Sequence, residues 1–220
     1  MNRADLFDLR DDLYRRPLQT ALTRVEVQEG WKIVDVGAGN GDVSVALAQL
    51  VGESGRIYSV DIDPRRRNEV ASRAAMHAQV IALTQAVEDL ALPELVDLAF
   101  CRFLLLGVHD PSRAILKMVN QVRPGGWVVI QEPVTSAGRI DDEALRSDSP
   151  MIEHPDVGMR VPKLLDGMGV PVVDSWAEAP VGLGGSAVGD YLEELTGCEV
   201  DAEVVMLPPL VTVVARIPAS

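Results

Sequence analysis

Short apolar runs recur along the chain, and segments with apolar residues at helical spacing separate them. Runs of this kind, bounded by glycine, proline or charged residues, are typical of buried strands. They predict strands at residues 32–36, 56–60, 79–83, 95–103, 127–131, 171–176 and 210–216. Helices are predicted at residues 42–51, 64–77, 111–122, 156–168 and 189–195. Strands that alternate with helices in this way predict a parallel sheet with helices on both faces, which is the α/β class.

Three segments follow less regular patterns. Residues 1–29 carry helical patterns with a break at Pro17, which predicts an N-terminal helical cap. Residues 134–154 are polar and acidic without a period, and residues 179–200 contain a glycine-rich stretch, so both are interpreted as mobile or lid-like segments. Because no repeat and no second domain boundary is found, residues 1–220 are predicted to form a single domain.

The composition excludes several classes of protein. The chain has 220 residues, of which 47% are hydrophobic and 24% are charged, which suits one α/β domain with a substantial core. Its net charge of −13 argues against a nucleic-acid partner, since phosphate contacts supply most non-specific affinity. The two cysteines indicate no disulfide framework, and the basic run at residues 65–67 is interpreted as a solvated helix face. No apolar leader precedes the first charged residues and no apolar run approaches about 18 residues, so we expect a cytoplasmic protein without a membrane span.

The most informative stretch is a glycine-rich turn that follows the strand at residues 32–36. It reads D-V-G-A-G-N-G over residues 35–41. Glycine lets a ligand lie against bare backbone, and the start of a helix offers unpaired N–H groups. A dinucleotide fingerprint needs G-x-G-x-x-G, but Asp42 and Ser44 stand where the third glycine would be. The spacing therefore argues against a nicotinamide enzyme.

This turn resembles motif I of the class I S-adenosylmethionine-dependent methyltransferases, and the resemblance extends over residues 30–133. Residues 59–63, S-V-D-I-D, are similar to the end of the family's second strand, and residues 97–105 to its fourth. R-P-G-G and the apolar run after it, within residues 122–133, are similar to its fifth strand and the turn before it. Within this family, the resemblance is to the branch that methylates small molecules, which is typified by quinone-biosynthesis methyltransferases.

The resemblance implies a fold and a cofactor. The fold is the Rossmann-like class I methyltransferase fold, with a seven-stranded, mostly parallel sheet and helices on both faces. Its antiparallel last strand is expected between the fifth and sixth strands. The cofactor is S-adenosylmethionine, and its product is S-adenosylhomocysteine.

The resemblance also assigns cofactor contacts. Asp61 is expected to accept both hydrogens of the ribose diol, and Ile62 to lie against the adenine. Asp35 is expected to order the loop and to reach the methionine amine through water. The alternative for Asp61 is a turn residue that starts a helix. The loop backbone is expected to approach the amino-acid part of the cofactor at Gly37, Ala38, Gly39 and Gly41.

The adenine-binding position departs from the family pattern. The family often has an Asp-Ala pair after its third strand, whereas this chain has Ala86 where the aspartate is usual. The backbone N–H of Val87 remains available to the ring, with Gln85 or Glu88 as a substitute side chain. Arg102, at the end of the fourth strand, is expected either to close the floor of the site or to pair with a surface acid.

Methyl transfer to oxygen or nitrogen removes a proton, so bases near the catalytic edge are candidate catalytic residues. They are His109, His154 and Glu132, which ends the fifth strand. The family often carries a histidine two positions before His109, where this chain has Gly107. His109 could supply the missing imidazole, or simply cap the following helix together with Asp110.

The absence of certain motifs limits the class of methyl acceptor that we expect. No Asn/Asp-Pro-Pro-Tyr motif follows the fourth strand and no Pro-Cys pair is present, which argues against DNA methylation. No His/Cys cluster has metal-ligand spacing, so no metal is expected. We therefore expect a small-molecule acceptor, either a secondary metabolite or a quinone-like compound. Two alternatives stay open: an enzyme that keeps the cofactor but catalyses cyclisation or rearrangement, and a non-catalytic accessory subunit. Residues 207–214 are interpreted as core strand, with a homodimer contact as the alternative.

Overall fold

Two sheets are found in the part of the chain that this computed structural model describes, residues 3–145 and 149–219. The larger has seven strands in the order β3-β2-β1-β4-β5-β11-β8, and the smaller has the order β7-β6-β10-β9. Along the chain the strands are β1 (Lys32–Val36), β2 (Arg56–Asp61), β3 (Val80–Thr84), β4 (Val96–Arg102), β5 (Val122–Pro133), β6 (Arg139–Ile140), β7 (Glu143–Ala144), β8 (Val172–Glu178), β9 (Val181–Gly182), β10 (Val205–Met206) and β11 (Leu210–Arg216).

The larger sheet confirms the predicted class I methyltransferase fold. All of its neighbouring strands run parallel except β11, which is antiparallel to both β5 and β8. β2 and β3 lie on one side of β1, whereas β4 lies on the other. The direction in which strands are added therefore reverses at β1. In open α/β sheets, ligands bind outside the carboxyl ends of the strands at such a point.

Helices cover both faces of the larger sheet. Its residues alternate between the two sides: Val128 and Ile130 pack with α5 and α6, whereas Val129 packs with α2 and α3. The helices are α1 (Arg3–Leu13), α2 (Arg15–Val25), α3 (Asp42–Val51), α4 (Pro64–Arg73), α5 (Pro111–Val119), α6 (Val161–Gly167) and α7 (Ala187–Thr196). Across the described ranges, none of the helices combines the length and hydropathy that crossing a membrane requires.

Two prolines mark helix starts, which corrects two predicted boundaries. Pro17 was expected to break the N-terminal helices, but the break lies at Tyr14 and Pro17 is in the first turn of α2. The first N–H groups of a helix have no partner within the helix, so proline removes no bond there. Pro162 similarly lies in the first turn of α6, which begins at Val161 and not at residue 156.

Side-chain caps start the helices that follow β2 and β4. Asp63 accepts a hydrogen bond from the N–H of Arg65, and Asp110 accepts one from the N–H of Arg113. Each is followed by a proline in the first turn, a combination typical of helix N-termini. Both helices end earlier than expected, at residues 73 and 119 instead of 77 and 122.

The smaller sheet was not predicted. β6 and β7 come from the segment 134–154, and β9 comes from the segment 179–200. β10 pairs antiparallel with β6 and with β9, so it joins the two segments that were interpreted as lid-like. Each of these strands has two residues, which is too short for an alternating pattern to be recognised in the sequence.

The position of β11 supports the interpretation of residues 207–214 as core strand. β11 lies between β5 and β8, and the residues from Leu210 to Ala215 are all buried. Residues 210–214 are therefore core strand, and both edges of β11 are paired within the chain.

Candidate cofactor and acceptor site

The glycine loop between β1 and α3 is attached to the end of β2. The N–H groups of Gly37 and Ala38 both donate to the carbonyl oxygen of Val60, at 2.8 and 3.0 Å. The N–H of Gly39 donates to Oδ2 of Asp61 at 2.9 Å. The loop predicted to bind the cofactor is thus held against the strand that supplies Asp61.

The three glycines of the loop have positive φ values of 76°, 55° and 89° but different surroundings. A Cβ atom at Gly37 would lie 3.0 Å from a Leu104 methyl carbon, and one at Gly41 would lie 3.2 Å from the Cα of Val70. At Gly39 the nearest atom would be the Gly37 carbonyl oxygen, 4.0 Å away. Gly37 and Gly41 therefore permit close packing, whereas Gly39 presents bare backbone to open space, where a ligand can approach.

Asp61 is held ready for a ligand by backbone amides. Its Oδ1 accepts from the N–H of Asp63 at 2.9 Å, and its Oδ2 accepts from Gly39 as described. Each carboxylate oxygen keeps acceptor capacity beyond these bonds. The neighbouring Ile62 is 70% exposed. A fixed carboxylate beside an uncovered apolar side chain suits a ribose with an attached base, which is the predicted role of both residues.

Asp35 lies beneath the loop. Its side chain is buried, and its Oδ2 accepts a hydrogen bond from the Ser44 hydroxyl at 2.6 Å. Ser44 in turn accepts from the hydroxyl of Ser59. Burial raises the pKa of Asp35 to about 7, and the Ser44 bond opposes that rise. These contacts join β1, β2 and α3, which agrees with the expected role of ordering the loop.

The stretch after β3 gives partial information on the adenine end. Val87 begins a 3₁₀ turn, and its side chain lies in the core, while the Glu88 side chain is partly exposed. The Gln85 side chain accepts from the N–H of Ala91 at 3.4 Å, so part of its capacity is used internally. The Val87 backbone and Glu88 stay the predicted adenine contacts.

The helix α1 lies across the glycine loop. Asn40 of the loop donates to Oδ1 of Asp8 at 3.1 Å, and Arg73 of α4 pairs with the same carboxylate. The Phe7 ring lies 4.8 Å from the Arg10 guanidinium carbon and 4.6 Å from that of Arg66. The interpretation of Arg66 as part of a solvated face is wrong, since its side chain is only 15% exposed and contacts α1.

A buried ion pair attaches α1 to the end of β4. Nη2 of Arg102 donates to Oδ1 of Asp11 at 2.7 Å, and the side chains are 4% and 3% exposed. Burial lowers the pKa of Arg102, and Asp11 opposes that change. The expected pairing of Arg102 with a surface acid is wrong, because its partner, Asp11, is a buried carboxylate. Arg102 instead fixes α1 over the carboxyl ends of the strands.

A cavity of about 700 Å³ opens at the carboxyl ends of β4 and β5. α1, α7 and the segments around residues 149–152 and 207–208 enclose it. Four of the chain's nine aromatic residues (three each of Phe, Tyr and Trp) line it, so aromatic side chains are concentrated here. Its size and mostly apolar lining are those of a small-molecule site. The main lining residues are Leu6, Phe7, Arg10, Tyr14, Phe103, Leu106, Gly107, Tyr191, Leu195 and Leu207.

Phe103 forms one wall of this cavity in an unusual backbone conformation. Its φ is 56°, which costs energy for an aromatic residue. The carbonyl of Gln131 accepts its N–H at 3.1 Å, and its ring meets that of Tyr14 edge-on at 5.1 Å. The Tyr14 hydroxyl donates to the carbonyl of Pro208 at 2.8 Å. The chain therefore leaves β4 abruptly at Arg102, one residue before the predicted end of the strand, and residues 103–106 form a turn.

Glu132 holds that turn in place. Its carboxylate is fully buried and accepts hydrogen bonds from the N–H groups of Leu104, Leu105 and Leu106, at 2.8, 2.7 and 3.3 Å. Burial raises its pKa to about 7, and the three bonds oppose that rise. The expectation that Glu132 faces the substrate is wrong, because both of its oxygens are bound to backbone. Glu132 is a positioning residue.

The two histidine candidates lie together but outside the cavity. The His109 side chain is 96% exposed, with Nδ1 3.5 Å from a Glu153 carboxylate oxygen. His154 Nε2 lies 3.3 Å from the carbonyl oxygen of His109. Neither ring lines the cavity, and the following helix is capped by Asp110. The structure thus gives no support to a catalytic role for either histidine.

Gly107 explains why no imidazole replaces the one that the family often has. A Cβ atom at this position would lie 2.9 Å from the carbonyl oxygen of Met151. A side chain at position 107 would therefore displace the segment around Met151 from the cavity wall. Sequence reasoning missed Arg10 and Tyr191 as lining residues, because a helical pattern does not show which cavity its outer face meets.

Comparisons with known proteins agree with this geometry. Residues 34–130 match a family described as "Methyltransferase domain". A demethylmenaquinone methyltransferase from Geobacillus sp. (strain WCH70) is 30% identical over 125 residues, which is 54% of this chain and 53% of that protein. The chain spans about half the length of the curated relatives it matches.

Solved structures share the fold. A SAM-dependent methyltransferase from Aquifex aeolicus has a TM-score of 0.65 and 20% identity, with 99% of each chain covered. The cyclase SpnF has a TM-score of 0.67 and 18% identity, covering 93% of this chain and 82% of that one. At these identities, the likeness extends to the fold alone.

The matched domain, the sheet order and the glycine loop agree with one another. Residues 34–130 are similar to a methyltransferase domain, and the larger sheet has the strand order of the class I, S-adenosylmethionine-dependent methyltransferase fold. The residues present fit that cofactor, because Gly39 faces open space and Asp61 is fixed beside the exposed Ile62. These residues therefore suit S-adenosylmethionine, the cofactor predicted from the sequence.

Replacing Asp11 by alanine is expected to lower the free energy of unfolding by about 3–5 kcal/mol, because it leaves Arg102 buried without its counter-charge. Urea unfolding measures the change. Asp12→Ala is the matched control, since Asp12 is 65% exposed and pairs with Arg15, and we expect a loss below about 1 kcal/mol. Equal losses in the two variants would show that the buried pair has no special role.

Replacing Glu132 by glutamine is expected to change how stability depends on pH. The folded pKa of about 7 lies above the ordinary value of 4.5. Between these two pH values, the folded chain therefore holds a proton on Glu132 that the unfolded chain has released. The contribution of Glu132 to stability is therefore present below the unfolded pKa and lost as pH rises through the folded pKa, by up to about 1.4 kcal/mol per pH unit. We expect the stability of wild type minus that of Glu132→Gln to fall between about pH 5 and about pH 7. Urea unfolding of both proteins across this pH range measures the difference. Glu53→Gln, at an exposed site, is the control. A difference between wild type and Glu132→Gln that does not change with pH would contradict the expectation.

Proposed function

We propose that this protein transfers a methyl group from S-adenosylmethionine to a small-molecule acceptor bound in the cavity. The observation that carries the proposal is that α1 links the glycine loop to the apolar cavity: Asp8 of α1 accepts from Asn40 of the loop, and its neighbours Phe7 and Arg10 line the cavity. When bound, S-adenosylmethionine supplies an electrophilic methyl group. Catalysis of such a transfer consists mainly of holding two partners in line, which can supply a large part of the rate enhancement.

The residues of this chain have positioning roles in that proposal. Asp61 binds the ribose, Ile62 and the Val87 backbone contact the adenine, and the bare backbone at Gly39 accommodates the amino-acid part. α1 covers the loop through Asp8 and Asn40 and so excludes water from it. The Glu132 carboxylate fixes the turn that shapes the acceptor cavity.

The acceptor is proposed to be an aromatic or quinone-like compound. The aromatic lining of the cavity supports this class, and one relative is named a demethylmenaquinone methyltransferase. Among the described lining residues there is no histidine, aspartate or glutamate, so a ring carbon or an already ionised oxygen suits the site better than an atom that needs a strong base. With a net charge of −13, a nucleic-acid acceptor is not proposed.

Calorimetric titration with S-adenosylmethionine, S-adenosylhomocysteine and NAD tests the cofactor part. Binding of the first two and no binding of NAD is the expected result. Incubation with methyl-labelled S-adenosylmethionine and quinol-type acceptors then tests the reaction, with labelled product and S-adenosylhomocysteine in equal amounts expected. Acceptor turnover without S-adenosylhomocysteine would instead favour the cyclisation or rearrangement alternative, in which the cofactor is retained.

Asp61→Ala is expected to weaken S-adenosylhomocysteine binding by more than about tenfold, or about 1.4 kcal/mol, because charged hydrogen bonds to the ribose are lost. Calorimetry measures the affinity. Asp89→Ala, which removes the same charge from an exposed position on the 3₁₀ turn, serves as control and should bind as wild type does. An unchanged affinity of Asp61→Ala would refute the ribose assignment.

A further inference from the structure

Arg10 brings a positive charge to the wall of the acceptor cavity. Among the described lining residues it is the one with a permanent charge. Its guanidinium carbon lies 4.8 Å from the centre of the Phe7 ring and 4.7 Å from that of Phe103. The two rings fix the orientation of a long side chain that would otherwise be free, because cations are attracted to aromatic faces.

Arg10 shares its carboxylate partner with a second arginine. Oδ1 of Asp11 accepts from Arg10 at 3.1 and 3.3 Å, but it also accepts the shorter bond from Arg102 at 2.7 Å. Among the described residues, one carboxylate thus faces two guanidinium groups. The nearby Asp8 pairs with Arg73 instead.

Arg10 also has hydrogen-bond donors to spare. A guanidinium group carries five N–H donors in a planar fork, and the bonds to Asp11 use Nε and one Nη atom. Planar forks of this kind suit oxyanions, which they bind with more than one hydrogen bond. The remaining donors lie on a side chain that lines the cavity.

Tyr191 of α7 lines the same cavity. Its hydroxyl makes no hydrogen bond to the residues described, although most of the side chain is covered. Burial raises the pKa of Tyr191, and the charge of Arg10 opposes that rise. A tyrosine hydroxyl both donates and accepts hydrogen bonds, so this one is available to a ligand in the cavity.

We propose that Arg10 and Tyr191 form a subsite that binds an ionised oxygen on an aromatic acceptor, and so select acidic aromatic acceptors over neutral ones. This inference rests on the proposed function, because it takes the cavity to be the acceptor site. The apolar walls formed by Leu6, Phe103 and Leu195 bind the ring system, while the subsite binds the oxyanion. An acceptor held in ionised form also explains why the described lining needs no carboxylate or imidazole.

Calorimetry with naphthoate and with methyl naphthoate tests the subsite, since the two probes share their rings and differ in charge. The titrations are made on the full chain with S-adenosylhomocysteine present. Wild type is expected to bind naphthoate more tightly than the ester. Arg10→Gln is expected to weaken the binding of naphthoate by about tenfold and that of the ester by less than about twofold, because charged hydrogen bonds are lost. Tyr191→Phe is expected to weaken the binding of naphthoate by about threefold, because one neutral hydrogen bond is lost.

Further variants separate the subsite from packing and from the cofactor. Arg10→Lys keeps the charge and should retain more naphthoate affinity than Arg10→Gln, and Arg16→Gln, at an 86% exposed arginine, should match wild type. Equal weakening of acid and ester in Arg10→Gln would mean that Arg10 only packs against the rings, and would overturn the proposal. So would an unchanged naphthoate affinity, or no naphthoate binding to wild type. A loss of S-adenosylhomocysteine affinity in Arg10→Gln would assign Arg10 to the cofactor instead, whereas no S-adenosylhomocysteine binding to wild type would refute the proposed function separately.

Discussion

The carboxylate of Asp11 is the contact on which the arrangement of the site depends. It lies between Arg102, which ends β4, and Arg10, which faces the cavity. Through it the sheet determines where α1 lies, and α1 determines where Phe7, Arg10 and Tyr14 lie. The cover of the glycine loop and one wall of the cavity therefore share a single anchor. Because the anchor is a buried charge pair, its geometry is demanding: a small shift of α1 would leave charges without solvent and without partners.

Carboxylates elsewhere in the site act in a similar way, as fixed parts that bind backbone or hydroxyl groups. Asp61 accepts from Gly39 and Asp63, Asp35 from Ser44, and Glu132 from the turn at residues 104–106. These turns follow strands, where the chain leaves the sheet and its N–H groups lose their regular partners. The acids supply acceptors at those places. Both sides of the site are thereby preorganised before any ligand arrives, which reduces the cost of ordering them on binding.

The sequence predicted the larger sheet well because its signals are local. Apolar runs mark β1 to β5, and Asp63 and Asp110 followed by prolines mark helix starts. The glycine loop and Asp61 were found because their spacing carries the chemistry. What was missed depends on contacts between distant residues: the pairing of Arg102 with Asp11, the turn bound by Glu132, and the two-residue strands of the smaller sheet. No pattern within a short window contains that information. The roles of His109, His154 and Glu132 were inferred from chain position alone, and position along a strand end does not show which way a side chain points.

The insertion of β11 between β5 and β8 has a consequence for how the chain folds. β8 is made before β11, yet β11 is its neighbour in the described sheet and separates it from β5. Until residues 210–216 have been synthesised, β8 therefore has no neighbouring strand in this sheet, and one edge of β5 is unpaired. Exposed strand edges can pair with other chains. The five strands from β3 to β5 in the sheet order can assemble early through shorter connections, whereas the addition of β11 and β8 requires a late, non-local pairing, which folds slowly.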